Sequence, residues 1–276
     1  MKVARALAET TERLTHAGCE TPRVDAEILV AHVLGVARSE LALEPARKLS
    51  GREGKELERL VSRREAREPL AYVLGEWGFR RLTLAVDRRV LVPRPETEVV
   101  VERCLARLSG KAEPRVLDVG TGSGAIALAL ADEHPGALVT GIDASPDALE
   151  VAGANALRAG LAVTLREWDL FHGLPGGPWD IVVSNPPYVL PGEIDALEPE
   201  VREWEPREAL IGVGATEAVG RGALAVLERG GALVLEVSAV DAARVAALLG
   251  ALGYLEVTTT RDLAGRDRVV EGVLAA

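Results

Sequence analysis

From Arg115 onward, short apolar runs alternate with amphipathic helical patterns, and this alternation constrains the fold more than any other feature of the chain. Strands that alternate with helices form a mostly parallel sheet covered by helices on both faces. The runs RVLDV, LVTGID, VTLREWDL, DIVVSN, ALVLEV, YLEVTTT and RVVEGVLA predict seven strands. A short turn through Ala264 and Gly265 joins the last two runs, so we expect the final strand to run antiparallel beside its neighbour.

The residues before this alternation predict a separate helical part. Ser50 and Glu53 form a capping-box signature at the start of one helix. Between Gly78 and Val92 the pattern becomes strand-like and predicts a β-hairpin that turns at Asp87. We therefore expect an α/β protein with a helical bundle over residues 1–75, a hairpin linker over 76–94 and a sheet domain over 95–276.

Charge and composition exclude several classes of protein. The 276 residues carry a formal charge of −10, which disfavours strong nonspecific binding to a phosphate backbone. The segment 47–68 is locally basic, and spaced ion pairs on a helix face explain it more simply than an anionic partner does. No apolar stretch approaches the roughly 18 residues of a membrane span. Cys19 and Cys104 lack metal-site spacing and no secretory signal is evident, so we expect a cytoplasmic protein with no membrane partner.

A glycine-rich loop, DVGTGSG at 118–124, follows the first predicted strand. Glycines let the backbone approach a ligand closely, and the helix after the loop offers unpaired N–H groups. Asp143 ends the second strand, where a carboxylate can accept hydrogen bonds from ribose hydroxyls. Asp169 ends the third strand and is placed either to meet an adenine amino group or to cap the next turn of the chain. These features predict a nucleoside-type cofactor, and the loop alone also fits a nicotinamide.

The fourth predicted strand ends in the sequence SNPPY at 184–188. Consecutive prolines stiffen the loop and remove N–H donors, leaving the Pro186 carbonyl and the Asn185 side chain as acceptors. Such acceptors suit a planar NH₂ group, whose nitrogen is a weak nucleophile because its lone pair is delocalised. They would orient that nitrogen toward an electrophilic methyl group, with Tyr188 stacked on the plane and no metal required. A rigid turn is the structural alternative.

The chain has no glutamine and only two asparagines. Asn185 is one of these two amides, which weighs against a purely structural turn at SNPPY. The other, Asn155, lies in the middle of a predicted helix, where we expect it to be incidental.

The signature (D/N)PP(Y/F) after the fourth strand is typical of methyltransferases that act on exocyclic or amide nitrogens. The whole chain resembles the HemK-type peptide chain release factor glutamine N5-methyltransferases, the PrmC family. The resemblance runs through PRPETE at 93–98, DVGTGSGAIALALA at 118–131, GIDASPDAL at 141–149, VVSNPPYV at 182–189, EPREAL at 205–210 and DLAGRDRVV at 262–270.

This resemblance implies a seven-stranded Rossmann-like class I methyltransferase domain that uses S-adenosyl-L-methionine. It implies transfer of a methyl group to the glutamine of the Gly-Gly-Gln motif in class 1 release factors, with S-adenosyl-L-homocysteine as the other product and translation termination as the setting. The N-terminal bundle is the candidate for release-factor recognition, and no direct nucleic-acid partner is expected.

The resemblance also assigns residues. The implied cofactor site consists of Gly120, Thr121, Gly122, Ser123, Gly124, Asp143, Asp169, Leu170 and Asn185. The implied substrate site consists of Asn185, Pro186, Pro187 and Tyr188, with Asn185, Pro186 and Tyr188 catalytic.

Two parts of the sequence do not match the family pattern or have no assigned role. Glu236-Val237-Ser238 stands where the family usually has Glu followed two residues later by glycine, so we expect a different turn at the substrate mouth. For Arg94 and Glu96 in PRPETE, the residues suggest no more than a surface ion pair.

Three other functions share parts of this pattern. An adenine-N6 methyltransferase of DNA or RNA would need a basic track and a target-recognition region, which the charge of −10 and 3% aromatic content disfavour. A nicotinamide-dependent oxidoreductase would leave SNPPY unexplained. A non-enzymatic scaffold would have no need for Asp143 or Asn185.

Overall fold

The computed structural model describes all 276 residues and divides into two compact units. The first unit contains Met1–Glu76 and Leu197–Trp204, and the second contains Trp77–Ala196 and Glu205–Ala276. The helices are α1 (Val3–His16), α2 (Pro22–Leu34), α3 (Gly51–Glu65), α4 (Leu70–Leu74), α5 (Thr97–Leu108), α6 (Ala125–Glu133), α7 (Pro146–Ala159), α8 (Pro199–Trp204), α9 (Arg207–Leu210), α10 (Ala215–Leu224) and α11 (Ala242–Leu252). The strands are β1 (Glu76–Phe79), β2 (Leu82–Ala85), β3 (Arg115–Val119), β4 (Leu138–Asp143), β5 (Thr164–Glu167), β6 (Trp179–Ser184), β7 (Leu227–Glu236), β8 (Leu255–Arg261) and β9 (Asp267–Val273).

The first unit is a set of helices around its own apolar core. Helix α1 buries Leu7 and Leu14, whose spacing of seven places both side chains on one helical face. The predicted capping box is confirmed at the start of α3, since Ser50 Oγ accepts from the Glu53 N–H at 3.2 Å and Glu53 Oε2 accepts from the Ser50 N–H at 2.6 Å. None of the helices of the chain has the length and apolar character needed to cross a membrane.

Ion pairs account for most of the basic segment 47–68. On the surface of α3, Arg59 pairs with Glu56 at 2.6 Å. The guanidinium of Arg64 is buried, and it donates to Asp25 Oδ2 at 2.8 Å and to Glu200 Oε1 at 2.6 Å. The pairing explanation therefore fits this segment, although one of its arginines lies in the interior rather than on a solvated face.

The second unit is built on a seven-stranded sheet in the order β5-β4-β3-β6-β7-β9-β8. Strands β3 to β7 pair in parallel, and β9 runs antiparallel between β7 and β8. Apolar side chains from α5 and α6 pack against one part of the sheet, and those from α10 and α11 against another. The seven predicted strands and the antiparallel final strand are confirmed.

The hairpin forms, but the predicted turn at Asp87 is wrong. Strands β1 and β2 are joined at Arg80, whose φ of +50° lies in the left-handed region. The Arg80 N–H donates to Glu98 Oε1 at 2.9 Å, and its guanidinium pairs with Glu133. The turn is therefore set by two carboxylates distant in the sequence. Beyond β2, the Asp87 carboxylate accepts from the backbone of Arg89, and this local turn replaces the second predicted strand.

Candidate active site

The loops after β3, β4 and β6 meet at one edge of the sheet. Val119, at the end of β3, lies beside Ile142 of β4 and Ser184 of β6, so these strands end together. Ligands of open α/β sheets bind at this carboxyl edge. A cavity of about 650 Å³ opens here, a volume suited to a ligand of nucleoside size.

Most of the predicted site residues lie on the wall of this cavity. The predicted residues on the wall are Gly120, Thr121, Gly122, Ser123, Asp143, Asp169, Leu170, Asn185 and Pro187. Gly124, Pro186 and Tyr188 are not among the lining residues. Sequence reasoning missed other lining residues, among them Arg89, Thr97, Trp168, Phe171, Ile211 and Gly212.

The glycine loop wraps the start of α6 as predicted. Gly122 and Gly124 both have positive φ, at 56° and 83°. A Cβ at Gly124 would approach the Leu128 side chain to 3.0 Å, so this glycine serves the close packing of the loop on α6. The Gly122 N–H donates to Asp143 Oδ2 at 2.9 Å, which joins the loop to the end of β4.

Two carboxylates support the loop from different depths. Asp118 is buried beneath it and accepts from the Thr121 hydroxyl at 2.7 Å. Burial raises the pKa of Asp118 to about 7, against the lowering effect of that hydrogen bond. Asp143 lies on the cavity wall, and its oxygens accept from the N–H groups of Gly122 and Ser145. Each carboxylate oxygen of Asp143 retains a second lone pair, which fits the predicted acceptance of ribose hydroxyls.

Asp169 caps the next turn of the chain, which is one of the two roles predicted for it. Its Oδ1 accepts from the Phe171 N–H at 2.9 Å and starts a single turn of 3₁₀ helix over Leu170–His172. Asp169 and Leu170 also line the cavity, so the adenine contact stays a prediction beside the observed cap.

Asn185 belongs to a chain of hydrogen bonds that runs from the cavity into the interior. Its Nδ2 donates to the hydroxyl oxygen of Thr97 at 3.5 Å, and that hydroxyl donates to Glu236 Oε2 at 2.6 Å. Thr97 and Glu236 are both buried, and burial raises the pKa of Glu236 to about 7. Burial also raises the pKa of Tyr188, and the negative charge of Glu236 raises it further.

The loop after Asn185 is held by the end of α9 and the residues that follow it. The Val189 N–H donates to the Leu210 carbonyl at 3.0 Å. A Cβ at Gly212 would lie 2.4 Å from the Pro187 carbonyl oxygen, so this close approach requires a glycine. At the end of β7, Ser238 Oγ donates to Asp241 Oδ2 at 2.9 Å in the stretch that departs from the family pattern.

The prediction that Arg94 forms no more than a surface ion pair is wrong. Arg94 Nη2 donates to both carboxylate oxygens of Glu205, at 2.8 and 2.6 Å, and Glu205 is buried. Glu96 pairs with Arg266 at 2.7 Å in a more exposed position. Ion pairs therefore join PRPETE to EPREAL, through Arg94 and Glu205, and to DLAGRDRVV, through Glu96 and Arg266.

Asn155 is not incidental, because it joins the hairpin to the glycine loop. Its Oδ1 accepts from the Ala85 N–H at 2.7 Å, and its Nδ2 donates to the carbonyls of Ala85 at 3.0 Å and Ser123 at 2.9 Å. The side chain is buried, so no solvent replaces these bonds. One amide thus satisfies three backbone groups, which neither an aliphatic nor a carboxylate side chain could do.

Replacing this amide gives the first testable expectation. Asn155→Ala leaves three backbone groups without hydrogen-bond partners. Each of these groups that stays buried lowers the free energy of unfolding by about 1–3 kcal/mol. We expect unfolding by urea to show a loss of about 2 kcal/mol or more, together with weaker cofactor binding in calorimetry. Leu157→Ala is the matched control, because Leu157 lies on the same helix with its side chain 86% exposed. Equal stability of the two variants would contradict the joining role of Asn155.

Comparisons with known proteins give consistent matches along the chain. The family model described as the PrmC N-terminal domain matches residues 5–75, and the one described as the methyltransferase small domain matches 97–197. A curated release factor glutamine methyltransferase of Caulobacter vibrioides is 40% identical over 99% of this chain and 96% of its own length. One from Deinococcus radiodurans is 41% identical over 98% of both chains.

A solved structure shows the same fold at lower sequence identity. The 16S rRNA methyltransferase RsmC of Thermus thermophilus, in complex with AdoMet and guanosine, aligns with a TM-score of 0.53 at 20% identity. The alignment covers 72% of this chain and 49% of RsmC.

Proposed function

Because the chain belongs to the release factor glutamine methyltransferase family, we propose that it transfers a methyl group from S-adenosyl-L-methionine to the N5 amide nitrogen of the glutamine in the Gly-Gly-Gln motif of class 1 release factors. One observation of the structure carries this proposal. Asn185 of the SNPPY loop and Asp143 beside the glycine loop line the same cavity. The residue proposed to bind the substrate amide and the residue proposed to bind the ribose thus line one cavity.

The residues of the cavity fit S-adenosyl-L-methionine. Asp143 retains acceptor capacity for two ribose hydroxyls, and the N-terminal end of α6 favours a carboxylate. Trp168 and Phe171 provide aromatic surface on the wall for a planar base. When bound, this cofactor supplies a methyl group on a positively charged sulfur.

The SNPPY loop orients the substrate amide in this proposal. An amide nitrogen is a poor nucleophile, so its position and the direction of its N–H groups decide the rate. The side-chain oxygen of Asn185 and the carbonyl of Pro186 accept those two N–H groups, with Tyr188 against the amide plane. After transfer the nitrogen carries one proton more than the neutral product amide, and that proton leaves to solvent.

The helical bundle over residues 1–75 is the proposed recognition part for the release factor outside the tripeptide. It has an apolar core of its own, and it matches the PrmC N-terminal domain rather than the general methyltransferase domain. In this proposal residues 76–94 are the linker and residues 95–276 the catalytic domain.

Methyl transfer to a purified release factor tests the proposed function directly. We expect mass spectrometry to find one added methyl group on the glutamine of Gly-Gly-Gln, and none when that glutamine is replaced by alanine. A parallel arm offers an adenine-containing oligonucleotide, which we expect to remain unmethylated. Methylation of adenine alone, or an unmodified release factor while calorimetry shows bound cofactor, would refute the proposal.

A further inference from the structure

Asn185 can present either its oxygen or its NH₂ group to the cavity, and only one orientation serves the substrate. A substrate amide nitrogen has two N–H donors, so it needs acceptors. If the NH₂ group of Asn185 faced the cavity, donors would face donors. Something in the protein must therefore hold the oxygen of Asn185 toward the substrate.

The hydrogen bonds behind Asn185 supply that constraint. The hydroxyl of Thr97 has one proton. At 2.6 Å from Glu236 Oε2, the hydroxyl uses that proton to donate a hydrogen bond to the carboxylate. The Thr97 oxygen can then only accept from Asn185, and the group it accepts from is an N–H of the side-chain amide. With its NH₂ group held by Thr97, Asn185 turns its oxygen the other way.

We propose that Thr97 and Glu236 are positioning residues that fix the side-chain amide of Asn185 with its oxygen toward the substrate amide. This inference rests on the proposed function for its purpose, but the orientation itself belongs to the free protein. Neither residue contacts the substrate in this account. Both act through Asn185.

The orientation depends on the charge of Glu236. A protonated Glu236 can donate a hydrogen bond to the Thr97 oxygen. The Thr97 hydroxyl can then donate to the side-chain oxygen of Asn185, so the side-chain amide rotates and exchanges the positions of its oxygen and its NH₂ group. Because burial raises the pKa of this carboxyl to about 7, the turn is expected as the pH falls through neutrality. The other charged or titratable groups that interact electrostatically with Glu236 are Arg94, Glu96, Tyr188 and Arg268.

The composition of the chain makes this orientation measurable without an activity assay. With no glutamine and only Asn155 and Asn185, asparagine labelled with ¹⁵N gives two side-chain NH₂ pairs in an NMR spectrum. Asn185→Asp removes one pair and thereby assigns both. The Asn155 pair, which is buried on backbone partners, serves as an internal control.

We expect the Asn185 pair to shift as the pH is lowered from about 8.5 to about 5.5, with a midpoint near the pKa of about 7, while the Asn155 pair stays in place. Glu236→Gln and Thr97→Val should each abolish the shift, and Thr97→Ser should restore it because it keeps the hydroxyl. An Asn185 pair that does not titrate in the unmodified protein, or that titrates equally in Thr97→Val, overturns the proposal.

Kinetics on a release factor give a second, separate readout. Thr97→Val should lower kcat by about 10-fold or more, with the cofactor Kd within about twofold, since a misplaced reacting group costs up to about 100-fold. Thr97→Ser should keep most of the rate. Failure of the unmodified protein to methylate any release factor would refute the proposed function, whereas the NMR titration decides the positioning role by itself.

Discussion

Asn185→Ala is expected to lower the rate of methyl transfer at saturating substrates by about 100-fold or more. The substitution removes the acceptor that we propose orients the substrate amide, and a weak nucleophile depends on that orientation more than a strong one does. The side chain of Asn185 makes one hydrogen bond within the protein, at 3.5 Å to Thr97, so the fold should tolerate the change. Single-turnover transfer to a release factor measures the loss, and calorimetry should find the cofactor Kd within a few fold.

The other asparagine supplies the control for this experiment. Asn155→Ala also removes a side-chain amide, but that amide supports the hairpin and the glycine loop rather than the substrate. At saturating cofactor its rate should stay within about threefold of the unmodified protein, while its stability falls. If Asn185→Ala lost stability and kept its rate, SNPPY would be a structural turn, and the proposed function would lose its main support.

The layout of the sheet could be predicted because its signals are local. A strand buried on both faces is a continuous apolar run, as in ALVL at 232–235, and the loop after RVLDV at 115–119 is marked by its glycines. The hairpin turn could not be placed this way. Arg80 takes its position from Glu98 and Glu133, and no pattern within a few residues of Arg80 contains that information.

The candidate site was predicted from residues whose type is informative on its own, and the residues behind Asn185 were not predicted. Glycines, Asp143 and Asn185 lie on the cavity wall as expected. Thr97 and Glu236 belong to stretches that the sequence had marked, but they are 139 residues apart and nothing in either stretch indicates that the two side chains meet. Asn155 could have been found. The scarcity of amides that drew attention to Asn185 applies equally to Asn155, whose side chain satisfies three backbone groups that no aliphatic or carboxylate side chain could satisfy.

The buried arginine of the first unit gives the second large effect. Arg64 bonds to Asp25 and Glu200, and all three side chains are at most 14% exposed. Without Arg64 the buried carboxylate of Asp25 has no ion-pair partner, which costs about 3–5 kcal/mol, whereas Glu200 keeps its pair with Arg67 at 2.5 Å. Arg64→Met, which keeps much of the side-chain volume, should therefore lower the free energy of unfolding of this unit by about 3 kcal/mol.

Hydrogen exchange of amides in α1 to α3 under increasing urea measures this loss within the first unit, without assuming that both units unfold together. Arg23→Met is the matched control, since the Arg23 side chain is 63% exposed and pairs with Glu27 four residues away, and such helix pairs contribute about 0.3–0.5 kcal/mol. Adding Asp25→Asn to Arg64→Met should recover part of the loss, because the uncharged amide no longer needs the guanidinium. A loss below about 1 kcal/mol for Arg64→Met alone would show that water reaches the carboxylate of Asp25 and that Arg64 is not needed to compensate its charge.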